Sequence, residues 1–143
     1  MIALEEQRSC CPVACTLDII GDRWTLLVIR DLMRGVARYS DFLRSPERIA
    51  TNILANRLAM LTDRGLAEHF HEDGRKRPSY RLTKRGWTLA PVLAEIAGWG
   101  LANINDTEAR LAPGLAIRAE DATGDHTSEH HRRSARSPKG RDS

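Results

Sequence analysis

The chain has 143 residues, of which 41% are hydrophobic and 29% charged, with a formal net charge of +3 and a pI near 9.0. That length supports one domain of about 100–150 residues with its own core. No apolar run approaches the roughly 18 residues that span a bilayer, and the stretch from Met1 to Gln7 has no signal-peptide h-region, so a cytoplasmic protein without a membrane partner is expected.

Residues 1–9 read as a short N-terminal arm and residues 10–110 as the folded domain. Composition turns Ser-, His-, Gly- and Arg-rich near Arg118, so residues 111–143 are expected to form a disordered tail that cannot offset its ordering entropy. Within the domain, Pro12 suits the first turn of a helix, Val13, Leu17 and Ile20 follow at helical spacing, and Gly21 ends it. A second helix is predicted over residues 23–34, with Trp24, Leu27, Val28 and Leu32 as its buried stripe and Gly35 as its stop. A short third helix covers residues 39–44, with Phe42 and Leu43 turned inward, before Ser45 and Pro46 break the chain. A fourth runs from Thr51, a good N-cap type, to Arg64.

An extended segment over residues 66–71 comes next. Asp73-Gly74 then signals a two-residue type I′ hairpin turn, and residues 78–82 return as the second strand. Pro78, lacking an N–H, belongs at a strand start or an edge. Thr83 is placed to cap a last helix reaching Asn103, kinked near Trp87 by Gly86 and Pro91. The expected fold class is mainly α with a small β-hairpin wing. Its order of four helices, a basic hairpin and a closing helix is that of a winged helix-turn-helix.

On the fourth helix, Leu54, Leu58 and Leu61 share one face, while Asn52, Asn56, Ala59 and Asp63 occupy the opposite one with Ala55 beside them. Asparagine can bond adenine N6 and N7 bidentately, and alanine can touch a thymine methyl, so this face suits the major groove. Arg48 and Arg57 flank it within reach of phosphates, and the first turn at Thr51 offers unpaired N–H groups. A polar face alone describes any solvated helix. The neighbouring hairpin changes that reading, because Arg75, Lys76 and Arg77 open a run through Arg81, Lys84 and Arg85 that contains no acid. Double-stranded DNA is therefore the expected partner. The alternative is a winged helix that binds protein without specific DNA recognition, which would not need the cationic wing tip.

The chain resembles the HxlR family of MarR-like winged helix-turn-helix regulators. The matching stretches are Cys11-Pro12, Ile20-Gly21-Asp22-Arg23-Trp24-Thr25-Leu26-Leu27, Arg38-Tyr39-Ser40-Asp41-Phe42 and Ile49-Ala50-Thr51-Asn52-Ile53-Leu54-Ala55-Asn56-Arg57-Leu58. Leu61, Gly65-Leu66, Tyr80-Arg81-Leu82-Thr83, Gly86 and Trp99-Gly100 complete the set, across residues 10–105. The resemblance implies a homodimer closed by the first and last helices, and Val13, Leu17, Leu89, Leu93, Ile96 and Trp99 supply apolar surface for that seam. It implies a pseudo-palindromic operator, and it places Arg38, Tyr39 and Ser40 near phosphate.

Many relatives carry a cysteine before the first-helix proline, some sensing oxidants or electrophiles through it. Cys11 holds that position here, at a helix N-terminus whose dipole favours the thiolate. Cys10 and Cys15 are additional candidates; three cysteines within six residues make no secreted disulfide framework, and pairing between subunits is more plausible than within one. The bland reading is small residues at the dimer seam. A bound small-molecule effector is the other route to a signal. His69 and His71 on one strand face, with His126, His130 and His131 in the tail, form no metal-ligand motif, so no metal or cofactor is expected. No phosphate loop, nucleophile elbow or Cys-x-x-Cys is present, so no enzyme is expected.

Overall fold

The computed structural model describes residues 9–108. The elements are α1 (Pro12–Ile20), α2 (Thr25–Met33), α3 (Tyr39–Phe42), α4 (Thr51–Asp63), β1 (Ala67–Phe70), β2 (Ser79–Leu82), α5 (Lys84–Trp87) and α6 (Ala90–Asn103). The expected tail over residues 111–143, and with it His126, His130 and His131, lies outside the described residues, as does most of the arm.

The core is built chiefly where α2 and α4 cross behind the sheet. Leu54, Leu58 and Leu61 on α4 are at most 1% exposed and pack in one cluster with Val28, Ile29, Leu32 and Met33 of α2, Phe42 of α3, Leu66 just before β1, and Ala67 and Leu82 of the sheet. Full burial of each leucine contributes about 1.5–3 kcal/mol, which fixes the azimuth of α4 and hence which face it shows to solvent. The stripe of α2 differs from the sequence reading. Val28 and Leu32 are buried as expected, but Thr25, Ile29 and Met33 complete the stripe, while Trp24 and Leu27 are only half-buried. α2 is wrapped on two sides, so its apolar arc is wider than a single heptad stripe.

α4 ends in a Schellman motif. Gly65, at φ 67°, donates to the Thr62 carbonyl, and Leu66 N–H donates to the Leu61 carbonyl at 2.8 Å. α2 closes in the same way, with Val36 N–H on the Asp31 carbonyl. These turns set the directions in which the chain leaves for α3 and for β1.

Three local expectations are corrected. First, the hairpin is not closed by two residues. Phe70 pairs with Ser79, so residues 71–78 form the wing loop. Within it, Arg75 N–H bonds the Glu72 carbonyl, and only Gly74 of the Asp73-Gly74 pair has positive φ, which rules out type I′. β2 also has a second neighbour: Arg38 bridges Ser79, and Tyr80 N–H donates to the Ala37 carbonyl at 2.8 Å. Second, Thr51 is the first helical residue of α4 and Ala50 is its N-cap, with no side-chain cap. Third, the predicted last helix is two helices. Thr83 caps α5 by accepting from Gly86 N–H at 3.1 Å, and the kink expected near Trp87 is a full break before α6, with Pro91 in the first turn of α6.

Candidate nucleic-acid interface

α3, the turn over residues 43–50 and α4 form the helix-turn-helix, and the wing stands beside it. The positions expected to read bases, Asn52, Ala55 and Asn56, are exposed, as is Ala59 one turn further on. Thr51 is exposed too, and its carbonyl accepts the Tyr39 hydroxyl, which ties the start of α4 to α3. Because Ala50 provides no side-chain acceptor, the first N–H groups of α4 keep their capacity for an external anion. Arg48 is exposed and has φ 55°, an uncommon conformation for a residue with a Cβ, in the turn that leads into α4.

The wing cations Arg75, Lys76 and Arg77 are all exposed. Between the wing and the start of α4 lies a notch of about 460 Å³ lined by Tyr39, Thr51, Arg77, Pro78 and Tyr80. Arg38 is the N-cap of α3, and Ser40 is exposed on its first turn. The notch thus brings together the starts of α3 and α4 and the wing.

Local ion pairs modify this picture, and sequence reasoning missed all of them. Glu72 Oε2 lies 3.2 Å from Arg38 Nη2 and 3.2 Å from Arg75 Nε. Glu68 holds Arg81 Nε at 2.7 Å across the strands, and that guanidinium lies over the Phe70 ring. The run from Arg75 to Arg85 lacks acids in sequence, but in space the opposite strand and the loop supply two. Arg57 is half-buried, its Nη1 3.2 Å from Asp22 Oδ2, so it is drawn toward the α1–α2 turn rather than displayed with the Asn face. Burial raises the Asp22 pKa, but hydrogen bonds from the Thr25 hydroxyl and the Trp24 and Thr25 N–H groups, with the charge of Arg57, outweigh it and hold the carboxyl below its usual range. The charged residues were visible in the sequence, but not which of them meet.

A second polar network braces α2 against the helix-turn-helix turn. Arg30 binds Glu47 through Nη1 at 2.6 Å and Asp31 through Nη2 at 2.9 Å, and Asp31 accepts the Ser45 hydroxyl. The Arg30 bond holds Glu47 below its ordinary pKa against the opposing effect of burial.

Of the surface expected at the dimer seam, Val13 and Leu17 on α1 are 65% and 53% exposed, and Ile96 and Trp99 on α6 are 50% and 64% exposed. Leu93 is not available, because it is buried in the domain's own core with the half-buried Leu89 packed beside it. Val92 and Trp87 are exposed instead. Cys10 and Cys11 are exposed and Cys15 half-buried; Cys11 is the N-cap of α1, and the Cys15 thiol bonds the Ser9 carbonyl at 3.1 Å. His69 and His71 meet edge-on with ring centroids 6.3 Å apart, and no group of three metal-ligating side chains occurs among the described residues. No helix among them is long and apolar enough to cross a membrane.

A helix-turn-helix followed by a two-stranded wing and a closing helix defines the class: a winged helix-turn-helix transcriptional regulator. Residues 19–108 match the family model described as HxlR-like helix-turn-helix, and the chain belongs to that family. The HTH-type transcriptional regulator YybR of Bacillus subtilis (strain 168) is 32% identical over 107 residues, which cover 73% of this chain and 85% of YybR. The HTH-type transcriptional regulator MT3179 of Mycobacterium tuberculosis (strain CDC 1551 / Oshkosh) is 34% identical over 62% of this chain, which spans only 56% of that protein. Among solved structures, the redox regulator HypR in its oxidised form superposes with TM-score 0.58 at 30% identity, over 65% of this chain and 97% of HypR. The reduced transcriptional regulator YodB from B. subtilis gives TM-score 0.56 at 25% identity, over 70% of this chain and 100% of YodB.

Proposed function

We propose that this transcriptional regulator binds duplex DNA sequence-specifically as a homodimer, on a pseudo-palindromic operator. The observation that carries the reading is the notch in which Tyr39 of α3, Thr51 at the uncapped start of α4 and Arg77 of the wing meet, with Asn52 and Asn56 exposed on the first turns of α4. Asn52, Ala55 and Asn56 read bases in the major groove. Arg38, Tyr39, Ser40, Arg48 and Thr51 hold the adjoining phosphates, and Arg75, Lys76 and Arg77 follow the backbone or minor groove. Arg57 serves by bracing α4 through Asp22.

The homodimer follows from apolar surface that one domain leaves uncovered. Val13, Leu17, Ile96 and Trp99 are each at least half exposed on the two terminal helices, and a second copy is the partner that buries them. A two-fold pairing presents two α4 helices to successive major grooves, which is why the site is a near-palindrome. A mobility-shift assay with a salt titration, on genomic fragments selected by the purified protein, tests the reading. Recovered fragments sharing an inverted repeat support it. Binding that is weak, insensitive to salt and indifferent to sequence would favour a protein-binding winged helix instead.

Likeness to HypR and YodB favours a thiol-linked signal as a second element. Cys11, exposed at the start of α1, is the proposed reactive group, with Cys10 and Cys15 within the same turn. Oxidation near the seam would rotate one subunit against the other and alter half-site spacing. DNA affinity of wild type and Cys11→Ser, each reduced and after mild diamide treatment, decides this. Equal affinity of wild type in both states leaves Cys11 a packing residue and a small-molecule effector as the signal. A response that survives in Cys11→Ser transfers the role to Cys10 or Cys15.

A further inference from the structure

The DNA interface contains one carboxylate where its charge is least expected. Glu72 opens the turn of the wing loop, and its side chain is 29% exposed. A single oxygen, Oε2, receives a guanidinium nitrogen from each of two elements at 3.2 Å: Arg38 from the helix-turn-helix and Arg75 from the wing. Arg38 cannot drift from this position freely, because its backbone bridges Ser79 at the edge of the sheet. Arg75 is held by its own N–H bond to the Glu72 carbonyl. Two cations that belong to different parts of the interface are thus aimed at one anionic oxygen, the arrangement with which arginines clamp a phosphate.

We propose that Glu72 is an internal stand-in for a backbone phosphate: its carboxylate occupies a subsite formed by Arg38 and Arg75, and duplex DNA fills that subsite only by displacing it. The proposal rests on the DNA-binding reading above. Both arginine side chains are close to half exposed, at 45% and 46%, so the subsite opens to solvent on the side where DNA would lie. Ion pairs this exposed are weakly held, so a polyanion can exchange with the carboxylate. While the pair persists, two cations contribute no counterion release and the affinity for any duplex is held down. Glu68 has no such role, since it pairs with Arg81 across the strands and touches neither arginine of the subsite.

The test is equilibrium binding of the full chain to a random-sequence duplex of about 30 base pairs across a salt series. Glu72→Gln should raise affinity about five- to tenfold near 0.1 M salt and steepen the log–log salt slope by about 0.9 for each additional phosphate neutralised. Glu72→Asp keeps the charge but shortens the reach, and should give part of the same rise. In the Arg38→Ala/Arg75→Ala background, Glu72→Gln should have no effect, and Glu68→Gln should leave the wild-type slope unchanged. Thermal unfolding of each variant confirms that the fold is retained. A loss of affinity in Glu72→Gln would mean that the carboxylate positions the arginines for DNA and does not compete with it. An undiminished rise in the double-arginine background would reduce Glu72 to bulk negative charge. Either result overturns the proposal while leaving DNA binding intact, whereas a wild type that binds no duplex at any salt fails the underlying reading and this inference with it.

Discussion

Replacing glycine by alanine should have opposite effects at two places in this domain. At Gly86, in α5, an added Cβ would sit 2.0 Å from the Leu66 carbonyl oxygen and 2.9 Å from Leu82 Cδ2. Real Cβ atoms do not approach within 3.0 Å, so α5 and the chain entering β1 must part by at least the difference, 1.0 Å. That movement stretches the Thr83 N–H bond to Leu66, now 3.1 Å, and the Thr83 hydroxyl bond to Gly65, now 2.6 Å. Overpacking costs about 1–3 kcal/mol and a lost hydrogen bond about 1 kcal/mol, so Gly86→Ala should destabilise by about 2–4 kcal/mol. At about 4 °C or more per kcal/mol for a domain this size, Tm falls by roughly 10 °C or more. Gly100, inside α6, has no atom within 4 Å of its Cβ position. There only helix propensity operates, and Gly100→Ala should stabilise by about 0.8–1 kcal/mol. Thermal unfolding followed by circular dichroism, at one protein concentration, compares the two. A Gly86→Ala variant that melts within about 2 °C of wild type would refute the close approach of α5 to the wing, since the strain would then be worth under about 0.5 kcal/mol. Because α5 joins the wing to α6, the same variant should also lose duplex affinity.

Three further outcomes follow from the interface and its braces. Asn52→Ala or Asn56→Ala should cost about 1–3 kcal/mol on the selected operator and relax its base preference, whereas Arg77→Ala should weaken binding to every sequence and flatten the salt slope by about 0.9; equal losses on operator and random DNA for the asparagine variants would show that this face reads no bases. Ile96→Glu with Trp99→Glu should yield a folded monomer by sedimentation, because charges are placed on α6 side chains at least half exposed in the single domain; an unchanged dimer would move the seam elsewhere. Asp22 and Glu47 are held below their ordinary values of 3.8 and 4.5, so their stabilisation is complete above those values and is lost as pH falls through the lower folded values; Asp22→Asn should melt lower than wild type near neutral pH, with the gap closing in acid, as read from Tm against pH.

Much of the domain was legible from local sequence. Pro12 at a helix start, Gly35 and Gly65 just past helix ends, Thr83 as a cap and the leucines of α4 at helical spacing act through the backbone within a few residues. Such signals do not depend on what packs against them. The exposed Asn face was readable for the same reason, as the complement of that leucine stripe. What the tertiary structure decided is non-local. Asp73-Gly74 satisfies the local rule for a tight hairpin, yet the strands separate after Phe70, and β2 is also paired with Arg38, far back in the chain. Leu93 and Trp99 share a helix and an apolar character, but only packing assigns one to the core and leaves the other exposed. The cationic run that pointed to nucleic acid is real in sequence and partly neutralised in space, where Glu68 reaches Arg81 across 13 residues and Glu72 meets Arg75; outside the run, Glu72 also reaches Arg38 across 34 residues and Asp22 reaches Arg57 across 35. Periodicity reports a residue's neighbours along the chain, and an ion pair is set by neighbours the folded chain brings from elsewhere.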